Sequence, residues 1–431
     1  YFDGSYWHNG VPEKVSGFCT DVFFDYAKRF ILEQKRSGKP FLAYIATNAP
    51  HGPMHSPKEF SEPYQDQGTG LANFYGMIAN IDDNVGKLRE MLQQEGLADD
   101  TIFIFTTDNG TSSGDRVFNA GMRGKKGSQY DGGHRVPLFV YWPKGGLTGG
   151  RDVDPITAYV DVLPTLIDLC GLDPPDGVEF DGTSLVPLLS EEVHEDWPDR
   201  ILVTDSQRVK DPIKWKSSAV MTNRWRLING KELYDIKADP GQKRDVASQH
   251  PGVVRRLTDF YEQWWAELEP TFADATSIYL GHPAENPARL TSHDWITTRS
   301  TPWNQSHVRK ALTGEGNTGF WNVLVHQSGT YEVRLRRWPE EADAAIDAAL
   351  PAGADVPGVK AYRTTPGKAI QPNKAILSIG EQELEKGIEP GDNEVVFQLD
   401  LPAGKTRMQA LFESSDGSVH GAYYAYVERK E

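Results

Sequence analysis

Two short, almost continuous apolar runs constrain this chain most: Phe41-Leu-Ala-Tyr-Ile-Ala-Thr47 and Thr101-Ile-Phe-Ile-Phe-Thr-Thr107. Runs of this kind read as strands covered on both faces, which requires helices packed against a sheet. Each is preceded by a stretch with helical spacing. Val22, Phe23, Tyr26, Ala27, Phe30 and Ile31 fall on one face of a helix that Thr20 or Asp21 can cap. Leu71, Phe74, Ile78, Ile81, Val85, Leu88 and Leu92 recur at three and four residues, and Gly96 predicts the end of that helix. Leu138 to Trp142 adds a third strand, and Asp161 to Leu169 a short helix that tolerates Pro164 in its first turn. The fold class is therefore α/β.

The texture changes after residue 195. Ile201 to Thr204, Ser218 to Thr222 and Trp225 to Ile228 read as short antiparallel strands, the last two joined by an Asn223-Arg224 turn. An amphipathic helix from Val253 to Leu268 closes this small unit. From 271 onward strands dominate: Trp321 to His326, Tyr331 to Arg337, Ile376 to Ile379, Val395 to Leu399, Arg407 to Phe412 and Ala422 to Val427. They predict a β-sandwich, with a Ser328-Gly329 hairpin turn joining the first two strands and a short exposed helix over the acidic, Ala-rich stretch from Glu340 to Ala349. The expected division is 1–195, 196–270 and 271–431. A length of 431 residues suits two or three domains.

The formal charge of -16 opposes binding to nucleic acid at long range, so any anion must be gripped locally. No apolar run reaches the roughly 18 residues a spanning helix needs. Cys19 and Cys170, the only cysteines, are too few for a disulfide framework and are expected to be buried thiols.

Three polar clusters follow the strands, at the edge where open α/β sheets bind ligands. Asn48-Ala-Pro-His51-Gly-Pro-Met-His55 presents two histidines, each readable as a solvated loop side chain or as an acid–base group. Thr106-Thr-Asp108-Asn109-Gly110 pairs a carboxylate with an amide oxygen, which suits a hard cation and equally suits an Asx-turn. Asn109-Gly-Thr111 also fits the glycosylation acceptor pattern. The segment from Arg123 through Lys125, Lys126 and Gly127 to Tyr130, Gly133 and His134 is basic and Gly-rich in an acidic chain. It is either a solvated loop or a grip for a tetrahedral anion, to which lysine offers a point charge. It lacks the phosphate-loop pattern.

In this order and spacing the three clusters resemble the type I, formylglycine-dependent sulfatases of the alkaline-phosphatase superfamily. His8-Asn-Gly, Tyr75-Gly-Met-Ile-Ala-Asn-Ile-Asp82, Asp181-Gly-Thr-Ser-Leu-Val-Pro-Leu-Leu189 and Leu233-Tyr-Asp-Ile-Lys-Ala-Asp-Pro240 are similar to segments of that family, so the likeness runs to about residue 270. The resemblance implies an alkaline-phosphatase-like sandwich with a small antiparallel sheet subdomain, followed by a β-sandwich. It implies that Asp108 and Asn109 bind one divalent cation, calcium in preference to magnesium. It also implies that Lys126 holds the sulfate and that His51 contacts it and protonates the leaving alcohol. His55, Arg123 and His134 are the candidate substrate contacts.

The same resemblance exposes what is missing. Neither Gly17-Phe-Cys19-Thr-Asp nor Leu169-Cys170-Gly matches the Cys-x-Pro/Ala-Ser-Arg segment that yields formylglycine. The paired aspartates of the first strand and the Gly-Lys-Trp-His type segment do not occur either. The expectation is the C-terminal portion of a larger sulfatase, inactive alone and partnered by the N-terminal half, acting on a sulfated carbohydrate or other sulfate ester. Trp303 and Trp321 are candidates for sugar stacking. A periplasmic or secreted bacterial location follows from substrates that lie outside cells. Two other readings remain: a phosphomonoesterase or phosphodiesterase of the same superfamily, and a non-catalytic carbohydrate-binding subunit derived from a sulfatase.

Overall fold

The computed structural model describes residues 1–430 except 191–196, 208, 210, 274–275, 298–304, 315 and 356–364. The expected boundary at 195/196 and Trp303 lie outside the described residues. Two compact units result, one of residues 18–51 and 56–272, the other of 1–17, 52–55 and 273–431.

In the first unit the Cys19–Ser37 and Thr69–Gln94 helices pack together. The first begins without a side-chain cap. Asp21 instead accepts the amide N–H groups of Asn80 and Asn84 at 2.8 and 2.7 Å, a polar link between the helices. Its buried face carries Phe24 and Ile31, whereas Phe30 is exposed, so the face is rotated from the expected one. Phe24, Ile31, Leu88 and Leu92 form a core against which Phe41, Ala43, Ile45 and Phe103 pack.

Phe41–Thr47 makes no ladder among the described residues, and only alternate side chains are covered. Leu42 is 80% and Tyr44 90% exposed. Phe103–Thr106 pairs antiparallel with Leu138–Tyr141, where Phe139 is 63% exposed. The two-sided cover expected from the apolar runs is thus one-sided here. Cys170 is a second correction: it is exposed, ending the Val162–Leu169 helix, while Cys19 is buried.

The small sheet has the order Leu202–Asp205, Ser218–Met221, Trp225–Ile228, Glu232–Asp235, all antiparallel. Thr222 and Trp225 close the turn at Asn223-Arg224. The Pro251–Leu268 helix lays Leu257, Tyr261 and Trp265 onto Val220, Leu227 and Leu233.

The second unit is a sandwich of a six-stranded and a four-stranded sheet. Phe320–Val325 and Gly329–Arg336, expected to form a hairpin, lie in opposite sheets. Each strand pairs with long-range partners instead, Phe320–Val325 with Gly404–Ser414 and Gly329–Arg336 with Val395–Leu401 and Tyr424–Arg429, so that Trp321, Val323 and Val325 meet Tyr331, Val333 and Leu335 in one core between the sheets. Trp321 is wholly buried and its indole N–H donates to the Thr291 carbonyl at 2.8 Å, so it fills the core and is closed to a sugar. Past a single 3-10 turn at Glu340–Ala342, Ala344 and Ile346 enter the core in place of the expected exposed helix. In the same unit, Asn9 and Gly10, both at positive φ, turn the Ser5–His8 and Val11–Lys14 hairpin.

Candidate active site

An open cleft of about 2490 Å³ lies within the α/β unit. Asp108, Asn109, Lys126 and His134 all line it, together with Arg226 from the small sheet. Asp108 and Asn109 sit just past the Phe103–Thr106 strand, as the sequence predicts for a ligand edge. The Thr106 hydroxyl donates to the Pro137 carbonyl at 2.8 Å, and the Tyr159 hydroxyl donates to the Thr107 carbonyl, so the strand end is tied down on two sides.

The Asp108 side chain is exposed. The amide oxygen of Asn109 is buried and accepts no hydrogen bond. A buried carbonyl oxygen without a donor costs about 1–3 kcal/mol, which a hard cation offsets. An Asx-turn at Asn109 would have satisfied that oxygen, and it does not. The fit to a cation is partial: among the described residues no group of three His, Cys, Asp or Glu side chains gathers to hold a metal. One carboxylate and one amide oxygen are what this chain brings.

Backbone bonds fix the cationic loop against this edge. Gly110 N–H donates to the Gly133 carbonyl at 3.0 Å and Lys126 N–H to the Thr111 carbonyl at 2.9 Å. A Cβ on Gly110 would lie 1.9 Å from the Gly132 carbonyl oxygen, and one on Gly133 would lie 2.0 Å from that of Ser128. Only glycine permits so close an approach. Lys126 is half-buried, and among the described residues no carboxylate lies within 4 Å of its ammonium. Its neighbour Lys125 instead faces Asp115 at 3.7 Å.

His134 donates its Nε2–H to the Gln129 carbonyl at 3.2 Å. Burial pushes its pKa down, and the Asp131 carboxylate opposes that shift. Arg123 spends its guanidinium on fastening: it donates to the Tyr234 hydroxyl and the Gln242 carbonyl, both at 2.9 Å, and to the Tyr130 hydroxyl at 2.9 Å, lying 3.8 Å over the Tyr130 ring. His51 is exposed on a turn, its N–H bonded to the Asn48 carbonyl at 3.0 Å, and is not among the cleft-lining residues. His55 belongs to the other unit, buried with its ring 6.3 Å from that of Tyr1. The structure therefore gathers four of the seven candidates.

Sequence reading missed the residues that anchor the loop. Asp131, buried, accepts from Arg226 Nε at 2.9 Å, and Arg226 also donates to the Trp225 carbonyl at 3.0 Å. Burial lowers the Arg226 pKa and the Asp131 charge partly restores it. Asp131 N–H donates to Gln242 Oε1 at 2.9 Å. These partners are about a hundred residues apart in sequence, so no local spacing announces them.

A sequence profile of the sulfatase family matches residues 4–172, and one described as N-sulphoglucosamine sulphohydrolase, C-terminal, matches residues 124–263. The chain is 32% identical to N-acetylgalactosamine-6-sulfatase of Rattus norvegicus over 317 residues, 71% of this chain and 55% of that protein. It is 30% identical to an arylsulfatase of Clostridium perfringens over 301 residues, 58% of this chain and 59% of that one. The matched region of the Escherichia coli sulfatase YdeN is 32% of its length, at 32% identity. The chain thus spans between a third and three-fifths of these curated relatives. Among solved structures, Ps i-CgsB aligns with a TM-score of 0.55 at 27% identity, covering 62% of this chain and 59% of that one. A crystal of the same protein in complex with k-i-k-neocarrahexaose aligns with a TM-score of 0.54 at 26% identity over the same shares. With its cleft at the strand ends of an alkaline-phosphatase-like α/β fold, the chain is similar to the sulfatase family over the stretch from residue 4 to residue 263 that the two profiles match.

Proposed function

We propose that this chain carries part of the active site of an enzyme that hydrolyses a sulfate monoester on a carbohydrate. The observation that carries the reading is the buried, unpartnered Asn109 amide oxygen beside Asp108, in a cleft where Lys126 has no carboxylate partner among the described residues. Asp108 and Asn109 would hold one divalent cation, since a carboxylate and an amide oxygen suit a hard ion; the preference for calcium over magnesium is what the family resemblance implies. The chemistry such an ion would supply there is polarisation of the sulfuryl oxygens.

The remaining work falls to this chain's side chains. Lys126 places a positive charge against the sulfate group and neutralises charge that builds as the S–O bond lengthens. His51 supplies a proton to the leaving alcohol, a role that requires its turn to reach the cleft in the complete protein. The formylglycine nucleophile and the other cation ligands come from a segment outside this chain, and the chain alone is inactive. That segment also covers the outer face of Phe41–Thr47, where Leu42 and Tyr44 are open. The carbohydrate substrate is supported by relatives named for N-acetylgalactosamine 6-sulfate and by a relative crystallised with k-i-k-neocarrahexaose. A periplasmic or secreted location accords with such substrates.

The test uses the complete protein, joined to its upstream segment. Calcium binding is followed by calorimetry, and sulfate release from N-acetylgalactosamine 6-sulfate by ion chromatography. Asp108→Ala is expected to abolish calcium retention and turnover together, and Lys126→Ala to lower turnover by a factor of about 100 or more with the fold intact. Undiminished calcium affinity in Asp108→Ala overturns the cation assignment. Wild-type turnover in Lys126→Ala returns that loop to a solvated role.

A further inference from the structure

We infer that the small antiparallel sheet is the jig that fixes the cationic loop, with Glu232 and the Asp131–Arg226 pair as positioning residues for Lys126 and His134. The inference rests on the function proposed above and adds residues to it that act without touching the substrate.

Between Arg123 and His134 the loop has one short helical turn, Asp131–His134, and no strand. A segment of that kind has little intrinsic order, and a charge placed 1 Å out of position loses much of its effect. Two sets of bonds supply the missing order. The first set lies outside the small sheet: Gly110 and Thr111 hold the Gly133 carbonyl and the Lys126 N–H, and the Asn119 amide donates to the Met122 and Gly124 carbonyls at 2.9 Å. The second set comes entirely from the small sheet and the turn after it. Glu232 Oε2 accepts from the Tyr130 hydroxyl at 2.8 Å and from the Tyr234 hydroxyl at 2.7 Å. Arg123 bonds both of those hydroxyls, so the carboxylate, two phenols and the guanidinium form a closed ring of charge-assisted bonds. Arg226 reaches Asp131, and Gln242 takes the N–H of Asp131 and the guanidinium of Arg123.

This arrangement brackets Lys126. One clamp closes on Arg123, three residues before it, and the others on Tyr130 and Asp131, four and five residues after it. The competing explanation is that these bonds serve folding alone. It is weakened by their placement: Glu232 and Arg123 meet at a partly exposed loop, whereas the helix-side core of the small sheet is held by Leu227, Leu233, Leu257 and Tyr261. Tyr234, whose ring packs in the core of the other face with Ala219, Met221 and Ile228, brings to the loop a hydroxyl that such packing does not require. Burial and the bond to Glu232 raise the pKa of Tyr234 to about 12, so its hydroxyl keeps the proton it donates across the neutral range.

The experiment compares the complete protein with Glu232→Gln and with the double variant Tyr130→Phe/Tyr234→Phe. Turnover is measured on 4-nitrophenyl sulfate and on N-acetylgalactosamine 6-sulfate, and amide hydrogen exchange is followed by mass spectrometry. Both variants are expected to lower kcat about tenfold with KM within twofold. They should speed exchange over residues 123–135 about tenfold and leave strands 218–228 and helix 251–268 unchanged. Arg226→Lys retains a cation and is expected to fall between these variants and the parent. Because Arg226 is buried, the Glu232 and tyrosine variants decide the matter if that protein fails to fold. Parent-like kcat and parent-like loop exchange in both deciding variants overturn the inference. A lower Tm with parent-like kcat also overturns it, since that is the signature of a purely structural role. An inactive parent on both substrates instead overturns the proposed function, and the positioning role with it.

Discussion

The two units use the same sequence device, alternating apolar side chains along short strands, and arrive at different ends. In the C-terminal sandwich each inner face meets another sheet, and Trp321, Tyr331, Phe397 and Phe412 are sealed between them. In the α/β unit the Phe41–Thr47 segment buries Phe41, Ala43 and Ile45 on its helices and leaves Leu42 and Tyr44 open. An apolar run tells how much surface needs cover, while only long-range partners decide whether it is covered. The sandwich carries its own partners, whereas in the α/β unit Leu42 and Tyr44 find no cover among the described residues.

The largest contrast should appear on truncation. Trp321→Ala is expected to destabilise the sandwich by about 3–5 kcal/mol, read as a shift of one transition in urea unfolding followed by tryptophan fluorescence. Tyr44→Ser should move the α/β transition by no more than about 0.5 kcal/mol and reduce binding of the apolar dye ANS. Equal costs for the two would erase the distinction between sealed and open faces.

Acid should separate the units by a smaller margin. Burial of Asp161 alone would raise its pKa, but the Arg200 guanidinium and the N–H groups of Thr183 and Ala158 more than reverse this, and the carboxyl sits below its ordinary value of 3.8. A depressed carboxyl pKa contributes stability that is present above the unfolded value and lost as pH falls through the folded one. The α/β unit should therefore lose stability below about pH 4 in a step that Asp161→Asn removes, with the sandwich transition as internal reference. Acid profiles that superimpose for Asp161→Asn and the parent would sink that assignment.

Thiol labelling offers the finest probe. Cys170 should react with a disulfide reagent in the native protein at a rate near that of a free thiol. Cys19 should react only as fast as the α/β unit opens, with no effect on the sandwich spectrum. Rapid native labelling of Cys19 would show that its unit is looser than its packing.

Much of the fold was legible because it is local. Helical spacing placed the Thr69–Gln94 and Pro251–Leu268 helices within a few residues, and turn chemistry located the strands around Asn223. The pairing of Phe320–Val325 and Gly329–Arg336 was misread because a short turn and two alternating strands look alike whether the chain folds back within one sheet or crosses to another. At the site, Asp108, Asn109 and Lys126 stood out as charge and amide groups where apolar texture stopped. Asp131, Arg226, Glu232 and Gln242 did not, since a salt bridge spanning 95 residues leaves no periodic trace. Arg123 was visible for its charge, but its engagement with Tyr130 and Tyr234 depends on the third dimension.

The glycines where the cleft loops cross carry one further consequence. Gly110, Gly132 and Gly133 press backbone against backbone, and a single added methyl at any of them would collide with a carbonyl at 1.9, 2.3 or 2.0 Å. Such positions are closed to substitution: no side chain there can retune selectivity without dismantling the crossing. Diversification of the grip, by nature or by an engineer, is pushed outward to the side chains that flank it, with Lys125 and Gln129 the nearest places for novelty to enter.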